Sequence, residues 1–127
     1  MERPTFRKHE RLTSRTRIQE LVSTGRSVHE PPIKLVGRVM ELPTTATAQV
    51  AFAIPKRYMK LAVHRNRMRR LMREAYRLNK AVHQPPLCEG GKQYAWLFIF
   101  QARVPLTLAE TKQKISQSLD RWMEKHG

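Results

Sequence analysis

Residues 62–79 constrain the chain more than any other stretch. They contain no glycine or proline and few β-branched residues, and they are rich in arginine, leucine, methionine and alanine, which lose little side-chain freedom in a helix. The composition predicts a helix. At about 100° per residue, Met68, Leu71, Met72 and Ala75 follow the i, i+3, i+4, i+7 spacing of one apolar stripe and are expected to point into a core. Asn66, Arg67, Arg69, Arg70, Arg73 and Arg77 project onto the opposite arc, with Arg65 on the flank. A solvated helix usually mixes charges of both signs along its exposed side. Here Glu74 is the only acid among the arginines, and planar guanidinium forks suit bidentate phosphate contacts. The arc is therefore expected to dock a polyanion, with both Arg65 and Asn66 exposed.

The remainder of the chain needs such a partner. Its 127 residues suit a single domain, 1–127, and a hydrophobic content of 40% is enough to fold. Twenty-five Lys and Arg stand against 10 Asp and Glu, a formal net charge of +15, so RNA, DNA and an anionic membrane are the candidate partners. Membrane binding by a cationic helix is disfavoured, because the core already needs the apolar face of 62–79. No run of about 18 apolar residues exists, and the N-terminus lacks the apolar segment of a signal peptide. The lone Cys88 excludes an internal disulfide framework and reads as a free thiol in a reducing compartment. A cytoplasmic location is expected.

Taken in order, residues 1–13 read as a basic arm. A short helix capped by Ser14 or Thr16 should run through Ile18, Leu21 and Val22 to Gly25. Pro31-Pro32 breaks the chain, and Ile33 to Met40 reads as a strand with Ile33, Leu35 and Val39 on one face and Lys34, Val36 and Arg38 on the other. After a turn at Leu42 to Ala46, a second strand from Ala48 to Ile54 should pair with the first as a hairpin. Its small Ala51 and Ala53 would let a helix approach closely. Pro55 then delivers Lys56 and Arg57 ahead of the arginine helix.

Residues 80–92 read as turn, and the continuous apolar run Tyr94 to Phe100 as a central strand buried on both faces. Trp96, Phe98 and Phe100 are expected in the core and not on a stacking platform. Thr107 and Glu110 form a capping box, and Leu108, Ile115, Leu119, Trp122 and Met123 form the stripe of a last helix that covers the sheet. Pattern alone gives an α/β sandwich of order α-β-β-α-β-α.

The same chain is poor in catalytic groups. Metal-assisted phosphodiester cleavage needs clustered carboxylates, and the 10 acids are scattered singly. The five histidines, His9, His29, His64, His83 and His126, form no recognisable acid–base pair, and Cys88 has no ligand partners for zinc. No catalytic residue, no metal site, no cofactor held by the protein alone and no small-molecule substrate are expected.

The run Ala62-Val63-His64-Arg65-Asn66-Arg67-Met68-Arg69-Arg70-Leu71-Met72-Arg73-Glu74, preceded by Lys56-Arg57, resembles the "RNR" signature of the bacterial ribonuclease P protein subunit. The resemblance implies an α+β sandwich of order α-β-β-(β)-α-β-α, ribosomal protein S5 domain 2-like, with one short extra strand and a left-handed β-α-β crossover that places the arginine helix. It implies a protein component that binds ribonuclease P RNA and the 5′ leader of precursor tRNA, while the RNA subunit holds Mg²⁺ and carries out the cleavage.

On that resemblance, Lys56, Arg57, Arg65, Asn66, Arg67, Arg69, Arg70, Arg73 and Arg77 are assigned to RNA contact, and Ile18, Val22, Lys34 and Arg103 to a leader cleft. This chain departs from the family where Ile18 and Val22 stand in place of aromatic residues, which removes base stacking there, and where Lys60 stands near the place of a usual glycine. The competing reading is a basic ribosomal or RNA-assembly protein without any reaction.

Overall fold

The computed structural model describes residues 15–39, 48–89 and 93–126, with side chains described over 16–39, 48–79 and 93–125. The basic arm 1–13, the Ser14 cap, the turn at Leu42 to Ala46, the Cys88 side chain and Gly90-Gly91-Lys92 lie outside these residues. The described elements are α1 (Arg15–Thr24), β1 (Arg26–Glu30), β2 (Ile33–Val39), β3 (Ala48–Ala53), α2 (Ala62–Glu89), β4 (Tyr94–Phe100) and α3 (Leu108–His126). The fold is mixed α/β, with a four-stranded sheet and three helices.

β4 occupies the interior of the sheet because it is apolar on both faces. Six of its seven residues are buried, and Ile99 is half-buried. The strand order is β1-β2-β4-β3, with β2 antiparallel and β3 parallel to β4. This corrects the expected β2–β3 hairpin. A hairpin there would leave β4 at an edge with one greasy face open, whereas insertion between the two strands covers both its flanks.

The extra strand is β1, which pairs antiparallel with β2 across Pro31-Pro32, so the proline pair forms a turn between two strands. Only Val28 of its five residues is buried, and for that reason it gives almost no alternating pattern.

α2 and α3 pack on one face of the sheet. Met68, Met72 and Ala75 are buried as expected, and Leu71 is half-buried at the margin of the same cluster. The face they meet carries Ile33, Leu35, Val50, Trp96, Phe98 and Phe100, so the β4 aromatics are indeed core. Phe52 stacks on Phe98 at 5.6 Å between ring centroids, and Tyr76 of α2 leans on both rings. Asn79, buried at the end of the predicted helix, donates through Nδ2 to the Lys112 carbonyl (2.9 Å) and ties α2 to α3.

α2 does not stop at Asn79 but continues to Glu89, through Pro85 and Pro86, in place of the expected turn. Lys80 to Gln84 contain no breaker, so the helix carries on to the proline pair and passes through it, although each proline removes a donor and crowds the carbonyl four residues earlier.

α1 covers the other face. Leu21 packs with Val36, Ala95 and Leu97, with Ile18, Ala51, Ala53 and Ile99 partly buried around them. α1 lies over β2 and β4 and not over β3, so the small alanines of β3 border this cluster without the close helix approach that their size predicts. Because α1 begins at Arg15, Thr16 lies inside its first turn and is not its cap. Gly25 ends the helix by donating its N–H to the Leu21 carbonyl (2.7 Å). The capping box of α3 forms as expected: the Thr107 N–H donates to Glu110 Oε1 (3.1 Å), and the Glu110 N–H donates to Thr107 Oγ1 (3.2 Å).

Gly37 lets α3 close onto the sheet. Trp122 donates its indole N–H to the Arg26 carbonyl (2.8 Å) and meets Trp96 edge-on. A methyl group at Gly37 would lie 2.5 Å from Trp96 Cδ1 and 2.7 Å from Trp122 Cε2. Gly37→Ala should therefore destabilise the chain by about 1–3 kcal/mol through overpacking. Urea unfolding followed by tryptophan fluorescence measures this directly; an unchanged midpoint would mean that the two indoles move aside freely.

Candidate nucleic-acid interface

The start of α2 is built by a short loop that the sequence closes on itself. After β3, the Pro55 carbonyl accepts from the Tyr58 N–H (3.0 Å), and the Leu61 carbonyl accepts from the N–H groups of His64 and Arg65. Met59 is buried and anchors the loop. Arg65 then donates through Nη1 to the carbonyls of Met59 (2.9 Å) and Lys60 (2.7 Å). This corrects the expectation of an exposed Arg65. It is half-buried, and its guanidinium fastens the loop that carries Lys60. Lys56 and Arg57 are exposed on the same loop, with Arg57 lying over the Tyr58 ring at 5.0 Å.

One turn further on, Asn66, Arg69, Arg70 and Arg73 line a shallow depression of about 290 Å³. The Asn66 amide oxygen accepts from Arg69 Nη1 (3.0 Å), which holds that guanidinium at the lip, and Arg70 is exposed. No acid belongs to this lining. Asn66 matches its expected exposed position.

Two predicted members of the arc are placed differently. Arg77 is engaged through two guanidinium nitrogens with both carboxylate oxygens of Glu74. Its charge is answered within the chain, because an acid stands three positions earlier on the helix. These hydrogen bonds hold the Glu74 carboxyl below the ordinary carboxylate range; slight desolvation opposes them and the Arg77 charge assists. Arg67 lies about 100° around the helix from Asn66 and lines a separate cavity.

That cavity, of about 580 Å³, joins the loop and first turns of α2 to residues 103–108. Arg103, expected in the leader cleft, is exposed beyond the end of β4 and contributes to this lining, together with Lys60 and His64. No residue of α1 takes part. The cavity is what sequence reading missed. Its one available signal was the apolar Leu61 among neighbouring cations.

Ile18, Val22 and Lys34 lie on the α1 side of the molecule. Ile18 is half-buried against the sheet, Val22 is 57% exposed, and Lys34 is half-buried in register with Ile99 of β4. Val22 is therefore not core. Arg38, on the same sheet face, is committed to Glu20 Oε1 (2.9 Å) and Thr24 Oγ1 (3.0 Å) of α1. Among the described residues no helix is long and apolar enough to cross a membrane, and no three His, Cys, Asp or Glu side chains gather as metal ligands.

A family model described as Ribonuclease P matches residues 6–127. A ribonuclease P protein component of Porphyromonas gingivalis is 38% identical over 79 residues, covering 61% of this chain and 58% of that protein. One of Chlorobium phaeobacteroides is 38% identical over 91 residues, covering 69% and 62%. The match thus spans about three fifths of the length of these curated relatives. Two solved structures share the fold. The Staphylococcus aureus RNase P protein has a TM-score of 0.69 at 16% identity, covering 93% of this chain and 97% of that one. The Thermotoga maritima RNase P protein has a TM-score of 0.70 at 19% identity, covering 88% and 96%.

The contrast between neighbouring residues 65 and 66 is measurable. Arg65→Ala should cost about 1–3 kcal/mol through the lost charge-assisted bonds to the loop, whereas Asn66→Ala should stay within about 0.5 kcal/mol; urea unfolding of both variants checks the pair. A depressed carboxyl pKa contributes stability that is present above the unfolded-state value and is lost as pH falls through the folded-state value. The Glu74–Arg77 pair should therefore weaken only in acid. In carboxyl NMR titrations, Arg77→Gln should move the Glu74 midpoint upward; an unmoved midpoint would remove Arg77 as its cause.

Proposed function

The chain belongs to the ribonuclease P protein family, and from this we propose that it serves as the protein component of ribonuclease P, binding the catalytic RNA and the 5′ leader of precursor tRNA. The observation that carries this reading is the depression formed by Asn66, Arg69, Arg70 and Arg73, which gathers guanidinium groups with no acid in its lining. Met68, Met72 and Ala75 hold α2 in the core, which leaves this cationic side of the helix turned outward.

Two polyanions that must lie side by side repel each other. A cationic surface between them lowers that repulsion and releases condensed counterions, which makes binding steeply salt-dependent. Phosphate contacts orient the protein and read little sequence, so recognition rests on RNA shape and single-stranded segments. Arg69, Arg70 and Arg73 would grip the backbone of the RNA subunit, with Asn66 steadying Arg69 and with Lys56 and Arg57 adding charge beside them. Arg65 would act one step back, by holding the loop that positions Lys60 and its neighbours.

The leader would pass along the α1 side, over Ile18, Val22 and Lys34, held by aliphatic contact and one ammonium group. In this reading the Mg²⁺ ions and the cleavage belong to the RNA subunit, and the protein brings substrate and RNA together.

Adding the chain to a bacterial ribonuclease P RNA at low magnesium should accelerate removal of the leader from precursor tRNA; unchanged cleavage would overturn the assignment and leave a structural RNA binder. Arg70→Ala should keep the circular-dichroism spectrum and lower the slope of log affinity against log salt by about 0.7–0.9. A slope equal to that of the unaltered chain would mean that Arg70 meets no phosphate.

A further inference from the structure

The cavity between the start of α2 and the segment leading into α3 is not used by the reading above, and its lining has a composition that the arginine arc lacks. Its floor is apolar: Met59 and Met68 are buried there, and Leu71 and Leu106 are half-buried. Its rim is cationic through Lys60, Arg67 and Arg103, all exposed, with the exposed His64 beside them. No aspartate or glutamate lines it. Leu61 (59% exposed) and Leu108 (37%) also belong to the lining, and Val104 (73%) stands beside it. Large apolar groups left open around a positively charged opening indicate a ligand with one flat apolar part and one anionic part.

We propose that this cavity receives one unstacked nucleotide of a bound RNA, with its base on the methionine and leucine floor and its flanking phosphates on Arg67 and Arg103. This rests on the RNA-binding function argued above and adds to it a second contact of a different kind. A bare anion would leave the floor wet, and a neutral apolar ligand would leave the rim cations without a counterpart. A nucleotide satisfies both. Thioethers make favourable contacts with aromatic rings, and every base offers a π face independent of sequence.

The placement also fits. Arg67 stands about 100° around α2 from Asn66, so a strand lying along Asn66, Arg70 and Arg73 can turn one residue over the edge of the helix and into the cavity. The wall at Met59 and Lys60 is already fixed by the Arg65 bonds, so little ordering is required on binding. No residue of α1, β1 or β2 lines the cavity, so it is distinct from the α1 side assigned to the leader.

The test uses the full chain and a single-stranded adenosine pentanucleotide with 2-aminopurine at its centre. The comparison probe is the same oligomer with an abasic central ribose. The 2-aminopurine should be quenched, the methyl resonances of Met59, Met68 and Leu106 should shift, and the abasic oligomer should bind at least about tenfold more weakly. Arg67→Ala with Arg103→Ala should lower the salt slope for the pentanucleotide by about 1.4, two single-strand phosphate contacts. Leu108→Asp places an acid in the first turn of a helix, where it is tolerated, and should abolish the base-dependent part of binding while the chain stays folded.

Equal affinity and equal shifts with the abasic oligomer would overturn the proposal in favour of charge alone, and methyls left unmoved by the pentanucleotide would overturn it outright. Methyl shifts produced only by phosphatidylglycerol vesicles, or only by raising the protein concentration, would overturn it in favour of a lipid surface or a second copy. Stimulation of ribonuclease P RNA by the unaltered chain is read separately: if it persists while the cavity methyls stay unmoved, only the nucleotide site falls.

Discussion

A strand with no polar face needs cover above, below and on both sides, and β4 sets the architecture through that need. β2 and β3 flank it, the aromatic side of Trp96, Phe98 and Phe100 requires α2 and α3, and the aliphatic side of Ala95 and Leu97 requires α1. Once α2 is held by Met68, Met72, Ala75 and Tyr76, its rotation about its own axis is fixed, and so is the direction in which Asn66, Arg70 and Arg73 point. The outward charge is thus a consequence of the inward packing.

The acids are distributed in keeping with this division. Glu20 holds Arg38, Glu30 holds Arg121 and Glu74 holds Arg77, and none of these acids lines the depression at Asn66, Arg69, Arg70 and Arg73. Arg65 is held by carbonyl oxygens instead. The arginines therefore do two kinds of work: some fasten helices and loops to one another, while others crowd together at a cost in self-repulsion that an anionic partner would relieve.

What could be read from the sequence was what depends on neighbours along the chain. The 3.6-residue spacing of Met68, Met72 and Ala75, the unbroken apolar run of β4, and the Thr107–Glu110 cap are all local patterns, and the structure contains each of them. Features that depend on distant residues were not legible. The order of β2, β4 and β3 is decided by what β4 must bury, and β1 owes its existence to pairing with β2, since Val28 alone gives no period. Whether the Arg65 guanidinium meets phosphate or two carbonyls depends on how the loop at Met59 and Lys60 folds back. The cavity is divided between residues 58–71 and 103–108, so no single window of sequence contains it.

The clasp between Glu74 and Arg77 also sets a length. From Asn66 to Arg73 the helix rises about 10 Å, seven steps of about 1.5 Å, and beyond that point the next guanidinium is already occupied. A nucleic-acid strand advancing about 3.4 Å per unit would find room there for on the order of three phosphates. The arc is accordingly a short gauge and not a continuous track: a polyanion laid along it would be held over a few units only, and any longer grip would have to come from other parts of the molecule.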